Sequence, residues 1–209
     1  MRAIGAILMA TWLTPVAAVG QEWKAYPYPA SGFVVQFPVP PAVEKSAYKT
    51  PAGVSLPMTR YTARQDGLIY TMNVVDFSSV NADALSTIAE TEKSFGTTGK
   101  VTVAIDARIN RAYGRELSVS STDGSRMAVA IFFVNKHLFT LVGQSLPPNA
   151  IQKSGGAVRF QESLQFIGDN VGFGGFRGPG RGRFGASFER SLMRLRTAKM
   201  EQFWDSAAG

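Results

Sequence analysis

The chain has 209 residues, of which 45% are hydrophobic, and this is enough for one ordinary folded core with extensions or for two small domains. It has no cysteine and one histidine, which excludes disulfides, a thiol nucleophile, a cysteine-ligated zinc site and any mechanism needing two imidazoles in one chain. The formal charge of +7 favours anionic surfaces in general without choosing among them.

Residues 1–20 have the pattern of a secretory signal peptide. Arg2 supplies the positive start, residues 3–13 form an apolar run, and small residues precede a cleavage site between Gly20 and Gln21. The apolar run is shorter than the about 20 residues that cross a bilayer core. No cysteine follows it, so lipoprotein attachment is excluded. We therefore expect a cleaved signal peptide and a periplasmic or secreted protein.

The segment 32–38 predicts the first strand of the exported domain. Phe33, Val35 and Phe37 alternate with their neighbours, and a period of two places all three on one buried face. Pro38 ends the run because proline cannot donate to a strand ladder. The lead-in before this strand contributes three aromatic residues that we expect on the domain surface or in an edge strand: Trp23, Tyr26 and Tyr28.

Seven further strands are predicted from alternating or continuously apolar runs. They lie at 43–49, 54–64, 68–77, 101–109, 114–119, 127–134 and 138–142. The dipeptides Asp66-Gly67 and Asp123-Gly124 favour hairpins, and short turns make neighbouring strands antiparallel. The run 127–134 is apolar almost throughout, so we expect a central strand covered on both faces.

The first predicted helix spans 82–95 and follows the first block of strands. Ser79 or Asn81 would cap its start, and glycines at 96 and 99 would end it. Its expected buried stripe has helical spacing and consists of Leu85, Ile88 and Ala89.

A second helix is predicted at 155–166. Its expected inward side chains are Ala157, Val158 and Leu164. The paired glycines at 155 and 156 indicate a break before it, because glycine is a poor helix former.

Residues 168–209 form a tail rich in glycine, arginine and phenylalanine, with seven Lys/Arg against four Asp/Glu. Such a composition predicts disorder, with a short basic helix near 187–204. Its arginines are candidate contacts for anionic lipid or envelope polymer: Arg177, Arg181, Arg183, Arg190, Arg194 and Arg196. Arginine-glycine segments also bind single-stranded nucleic acid, but an exported protein does not ordinarily meet that partner. The remaining alternative is a solvated extension without a role.

Three patterns resemble the PsbP-like family: Pro29-x-x-Gly32-Phe33-x-Val35-x-Phe37-Pro38, Gly114-Arg115-Glu116-Leu117, and Arg159-Phe160-x-x-Ser163-Leu164-x-Phe166. This family contains extrinsic photosystem proteins, Mog-type Ran-binding proteins and many exported bacterial proteins. The resemblance covers residues 26–167 and implies an α+β fold, in which a largely antiparallel sheet is flanked by helices as an α/β/α sandwich. It carries no metal-binding or Ran-binding residue onto this chain. The expected domains are then a signal peptide at 1–20, a PsbP-like domain at 21–167 and the tail at 168–209.

Candidate catalytic groups are few. His137, the sole imidazole, would serve as a general base, although a lone histidine is more often a surface residue. Four carboxylates near strand ends and turns would support hydrolysis only if two of them converged: Asp76, Asp106, Glu116 and Asp123. No motif indicates a cofactor or a metal.

The functional expectation is therefore an exported, non-enzymatic binding or accessory domain that acts on a protein or a cell-envelope partner. Two alternatives stay open. One is a hydrolase that uses the surface carboxylates, and the other is attachment to an anionic surface through the basic tail.

Overall fold

A computed structural model describes residues 23–167, and the predicted signal peptide at 1–20 and the tail at 168–209 lie outside this range. The strands are β1 Lys24–Tyr28, β2 Phe33–Phe37, β3 Ala42–Lys49, β4 Ser55–Gln65, β5 Leu68–Asp76, β6 Lys100–Ile109, β7 Ala112–Ser120, β8 Arg126–Val134, β9 His137–Ser145 and β10 Gln165–Phe166. The α-helices are α1 Ala84–Thr98 and α2 Ala150–Gln161. Neither helix is long and apolar enough to cross a membrane.

The strands form two antiparallel sheets, and with the two helices they confirm the α+β class. The large sheet has seven strands in the order β3-β4-β5-β9-β8-β7-β6. The small sheet has three strands in the order β1-β2-β10. The edges of the large sheet are therefore β3 and β6.

The two faces of the large sheet carry separate hydrophobic cores, and β8 contributes to both. Because side chains alternate along a strand, its odd-numbered residues face one side and its even-numbered residues the other. Met127, Val129 and Ile131 join Ile88 of α1 in one core, which defines the α1 face. Ala128, Ala130 and Phe132 join α2 and the small sheet in the other core, which defines the α2 face. The prediction of a central strand covered on both faces is confirmed.

The opening strand β2 lies in the core of the α2 face, as its alternation predicted. Phe33, Val35 and Phe37 are all 0% exposed. The Phe33 ring lies 5.7 Å from Phe139 of the large sheet, and the Phe37 ring lies 5.0 Å from Phe160 of α2. Such burial contributes about 1.5–3 kcal/mol of gross transfer free energy per side chain. β2 therefore joins the small sheet to the rest of the domain.

The remaining strands and turns lie close to their predicted positions. Asp66 and Gly67 have φ values of 51° and 77°, the left-handed conformations of a tight hairpin turn between β4 and β5. Gly124 has a φ of 81° in the turn between β7 and β8. The lead-in forms the edge strand β1, and its aromatic residues pack partly buried against the core: Trp23, Tyr26 and Tyr28.

Helix α1 differs from the prediction in its cap and in its buried side. Asp83, rather than Ser79 or Asn81, caps it by accepting a hydrogen bond from the Ser86 amide at 2.8 Å. The side chains that it buries are Thr87, Ile88 and Thr91, whereas Leu85 and Ala89 are exposed. The Thr87 and Thr91 hydroxyls donate to carbonyls one turn earlier, each at 2.7 Å, so their polar atoms are satisfied within the helix.

Helix α2 begins and ends earlier than predicted, at Ala150 and Gln161. The expected break at Gly155 and Gly156 was wrong, because both glycines lie inside the helix. A Cβ at Gly156 would lie 3.0 Å from the Tyr70 hydroxyl, so glycine lets the helix sit close to the sheet. The expected helical end at Phe166 was also wrong, since Gln165 and Phe166 form β10. Ala157 and Leu164 are buried as expected, and Val158 is half-buried.

Candidate functional site

A groove with a volume of about 340 Å³ lies at one end of the large sheet. Its walls are the first turn of α1, the β6–β7 hairpin, and the end of β8 with the turn that follows. We call it the α1 groove. The side chains that define its character are Leu85, Ile88, Arg111, Tyr113, Phe133 and Asn135.

The groove has an apolar interior. Ile88 is 2% exposed, and Phe133 packs edge-on against Phe77 with the ring centroids 5.5 Å apart. Leu85 is 62% exposed, the highest fraction among the exposed large hydrophobic side chains of the described residues. Leu85 is the second residue of α1 and so stands in its first turn. A concavity lined mostly by apolar side chains with a few polar groups is typical of binding surfaces.

The wall formed by Tyr113 is held in place by a network of charged groups. The Arg115 guanidinium donates to both carboxylate oxygens of Glu92 on α1, at 2.8 and 3.1 Å. It also donates to Oδ1 of Asp106 on β6, at 2.5 Å. The same oxygen accepts a hydrogen bond from the Tyr113 hydroxyl at 2.9 Å. One arginine therefore links α1, β6 and β7 and fixes the position of the tyrosine.

The network also sets the charges beside the groove. The hydrogen bond from Tyr113, followed by that from Arg115, lowers the pKa of Asp106. The hydrogen bond to Asp106 raises the pKa of Tyr113. At neutral pH the carboxylate is therefore ionised, and the phenol is a neutral donor.

Two basic residues stand at the rim of the groove. Arg111 is exposed in the two-residue turn between β6 and β7, next to Asn110, whose φ is 56°. Lys136 follows Asn135 in the turn between β8 and β9, where both residues have left-handed φ values of 50° and 60°. Arg111 and Lys136 take no part in the ion pairs found among residues 23–167. These two cations are thus available to an incoming group.

His137 lies opposite Asp76 in the β5–β9 register. Its Nε2 is 3.9 Å from Oδ1 of Asp76, and its Nδ1 is 2.9 Å from the Asn135 carbonyl oxygen. The Asp76 carboxylate also accepts a hydrogen bond from the Ser78 amide at 2.8 Å, and hydrogen bonding by Ser78 is the main cause of its lowered pKa. The imidazole does not lie between Ser78 and the carboxylate, so the three residues do not form a nucleophile–base–acid relay.

The four candidate carboxylates are not brought together. Asp76 ends β5 beside the start of β9, whereas Asp123 lies at the other end of the sheet and accepts the Ser125 amide at 2.8 Å in a turn. Asp106 pairs with Arg115 on the α1 face, and Glu116, the next residue along β7, points to the opposite face. A hydrolase of the kind considered above needs two carboxylates in one pocket, and these positions do not provide it.

Residues 23–167 contain no group of three or more His, Cys, Asp or Glu side chains placed to hold a metal ion. The arginines predicted to contact anionic surfaces lie outside the described residues: Arg177, Arg181, Arg183, Arg190, Arg194 and Arg196.

Most of the groove was missed by reasoning from sequence. Leu85 was assigned to the buried stripe of α1, and Tyr113 was not singled out. Gly114-Arg115-Glu116-Leu117 was noted only as part of the family pattern. One signal was present, because Arg115 and Glu116 are two charged residues in a strand that continues with the apolar Leu117 and Val119. A charged residue at such a position is expected to have a partner on a neighbouring element.

No protein-family model matches the chain, and no curated protein is significantly similar to it. The resemblance to the PsbP-like family therefore stays a prediction from residue patterns in the sequence.

Proposed function

We propose that the chain is an exported, non-enzymatic binding or accessory domain of PsbP-like α/β/α type, which engages a protein or cell-envelope partner through the α1 groove. The observation that carries this proposal is Leu85, which is 62% exposed over an apolar concavity whose Tyr113 wall is already held in place. A preformed site of this kind lowers the entropic cost of binding.

The α+β class within the proposal is supported by the arrangement of layers, and the PsbP-like part rests on the residue patterns in the sequence. One helix packs on each face of an antiparallel sheet, and the opening strand and the closing Leu164–Phe166 segment meet in the core of the α2 face. Export is supported by the pattern of residues 1–20.

A matched pair of variants tests the role of the groove. Leu85 and Ile151 are each the second residue of a helix, and they are 62% and 54% exposed. A photo-reactive amino acid at Ala112, in the groove lining, would report partners from a cell-envelope extract. We expect Leu85→Gln to abolish the cross-linked product and Ile151→Gln to retain it.

Two results would contradict the proposal. The first is an identical cross-linked product from both variants, which would show that Leu85 does not contribute to the binding surface. The second is turnover of ester, phosphate or glycosidic substrates by the purified protein that His137→Ala abolishes, which would make the chain an enzyme.

A second candidate function is attachment to an anionic surface through residues 168–209, which carry seven Lys/Arg against four Asp/Glu. Each basic residue near such a surface contributes about 1 kcal/mol at low salt. Sedimentation with anionic liposomes at low and high salt tests it. Equal sedimentation with and without residues 168–209 would show that the tail does not attach the protein to anionic surfaces.

A further inference from the structure

The chemistry of the α1 groove identifies a class of occupant. We propose that the groove docks a partner-protein segment in which an apolar side chain is flanked by carboxylates. This inference rests on the proposed function, because it takes the groove as the binding site and adds the chemical class of what binds there.

The apolar part of the occupant follows from the groove interior. Leu85 offers exposed apolar surface, and Ile88 and Phe133 lie below it. The volume of about 340 Å³ is near the lower end of the about 300–1,000 Å³ of small-molecule pockets. A groove of this size, open along one side, suits one or two large side chains of an extended or helical segment.

The acidic part of the occupant follows from the charges around the groove. Arg111 is the only charged side chain in the lining, and Lys136 stands in the adjacent turn.

The nearby carboxylates already have partners. Asp83 accepts the Ser86 amide, and Asp106 and Glu92 bind Arg115. The two cations, Arg111 in the lining and Lys136 in the adjacent turn, take no part in the ion pairs found among residues 23–167, and they are complementary to carboxylates.

The same complementarity argues against the chain's own tail as the occupant. Residues 168–209 carry seven Lys/Arg against four Asp/Glu, so their net charge has the same sign as the rim. Like charges brought together at an interface weaken binding, whereas opposite charges favour it.

The test uses labelled peptides and the purified full chain. The acidic probe has a central Leu-Phe pair with three glutamates on each side. In two matched peptides, the glutamates are replaced by lysines or the Leu-Phe pair by two serines. Binding is measured by amide chemical-shift changes and by fluorescence anisotropy. We expect shift changes confined to the groove, and affinity for the acidic probe at least about ten-fold above that for either matched peptide.

Charge reversal then separates this inference from the proposed function. We expect Arg111→Glu to weaken binding of the acidic probe about ten-fold or more and to improve binding of the lysine peptide. Lys45→Glu makes the same charge change on β3, the opposite edge of the sheet, and should leave both affinities unchanged.

Each contrary outcome is informative. If Leu85→Gln abolishes binding but Arg111→Glu does not weaken it, the groove binds a partner and the acidic class is wrong. If neither variant weakens binding of the acidic probe, the proposed function is wrong as well. Binding of the acidic probe only after removal of residues 168–209 would make the tail the occupant. If the protein binds anionic vesicles through the groove and binds no peptide, the occupant of the groove is a lipid. Either result overturns the inference.

Discussion

Two glycines show how closely α2 approaches the large sheet. A Cβ added at Gly143 of β9 would lie 2.5 Å from the Ala157 carbonyl oxygen and 2.6 Å from its Cα, which are backbone atoms of α2. A Cβ added at Gly155, within α2 itself, would meet nothing within 4 Å. The first glycine is required by packing, whereas the second only lowers the helix propensity.

We therefore expect opposite effects from the same substitution. Gly143→Ala should lower the free energy of unfolding by about 1–3 kcal/mol, because α2 must move away from the sheet. Gly155→Ala should raise it by up to about 1 kcal/mol. Urea unfolding followed by circular dichroism measures both changes. If Gly143→Ala left the free energy of unfolding unchanged, α2 would not lie as close to β9 as these distances require.

The carboxylate of Asp83 caps α1 next to the groove, and its hydrogen bond from the Ser86 amide lowers its pKa. The folded-state pKa thus lies below the ordinary value of 3.8. A carboxyl group of this kind stabilises the fold fully above that ordinary value. Its contribution is lost as the pH falls through the lower folded-state pKa.

Asp83→Ala should accordingly destabilise the domain at about pH 6 and have a smaller effect at about pH 2, because protonation of the native carboxyl group increases as the pH falls. Asp83→Asn is the control, since asparagine caps a helix without titrating. Thermal unfolding across this pH range is the measurement. A gap between the native protein and Asp83→Ala that does not change with pH would contradict the prediction.

Helix α1 is joined to β7 of the large sheet by a partly buried ion pair. Arg115 and Glu92 are 20% and 27% exposed and share two hydrogen bonds. Bidentate geometry and partial burial make such a pair stronger than most surface pairs. The pair therefore contributes to the orientation of α1 and hence to the shape of the groove.

A double-mutant cycle with Arg115→Met and Glu92→Gln should give a coupling free energy of about 1 kcal/mol. Arg60→Met removes a hydrogen bond to Asn73 between exposed groups and should change stability by less than about 0.5 kcal/mol. Chemical denaturation measures all four variants. A coupling near zero would mean that apolar contacts alone orient α1.

The strands could be read from the sequence because their period-two pattern is local. The helices were harder, since their buried sides depend on contacts elsewhere. Thr87 and Thr91 are polar residues, which are not expected in a core. Their hydroxyls form hydrogen bonds within the helix, so their methyl groups can face the core. Gly156 predicted a break, but α2 continues through it, and the missing side chain lets the helix lie close to the Tyr70 hydroxyl. The groove joins residues from three separate segments, and no local pattern brings Leu85, Tyr113 and Phe133 together.

At the level of the whole domain, residues 163–167 complete the core of the α2 face. Leu164 and Phe166 are 2% and 3% exposed, and the Phe166 ring lies 5.0 Å from Phe139. The Ser163 hydroxyl accepts a hydrogen bond from the Gln36 amide at 3.2 Å. The Ile167 amide donates to the Gly32 carbonyl oxygen at 2.7 Å. These contacts make residues 163–167 part of the packed core of the α2 face.

A chain ended after Glu162 should therefore be much less stable than one ended after Ile167. The loss of Leu164 and Phe166 alone removes about 3–6 kcal/mol of gross burial free energy, at about 1.5–3 kcal/mol per side chain. Small domains have about 5–15 kcal/mol in total, so the shorter chain should unfold at much lower urea or fail to fold. Gln165→Ala in the longer chain changes an exposed residue of the same segment and should have little effect. Equal urea midpoints for the two truncated chains would show that the domain is complete before β10.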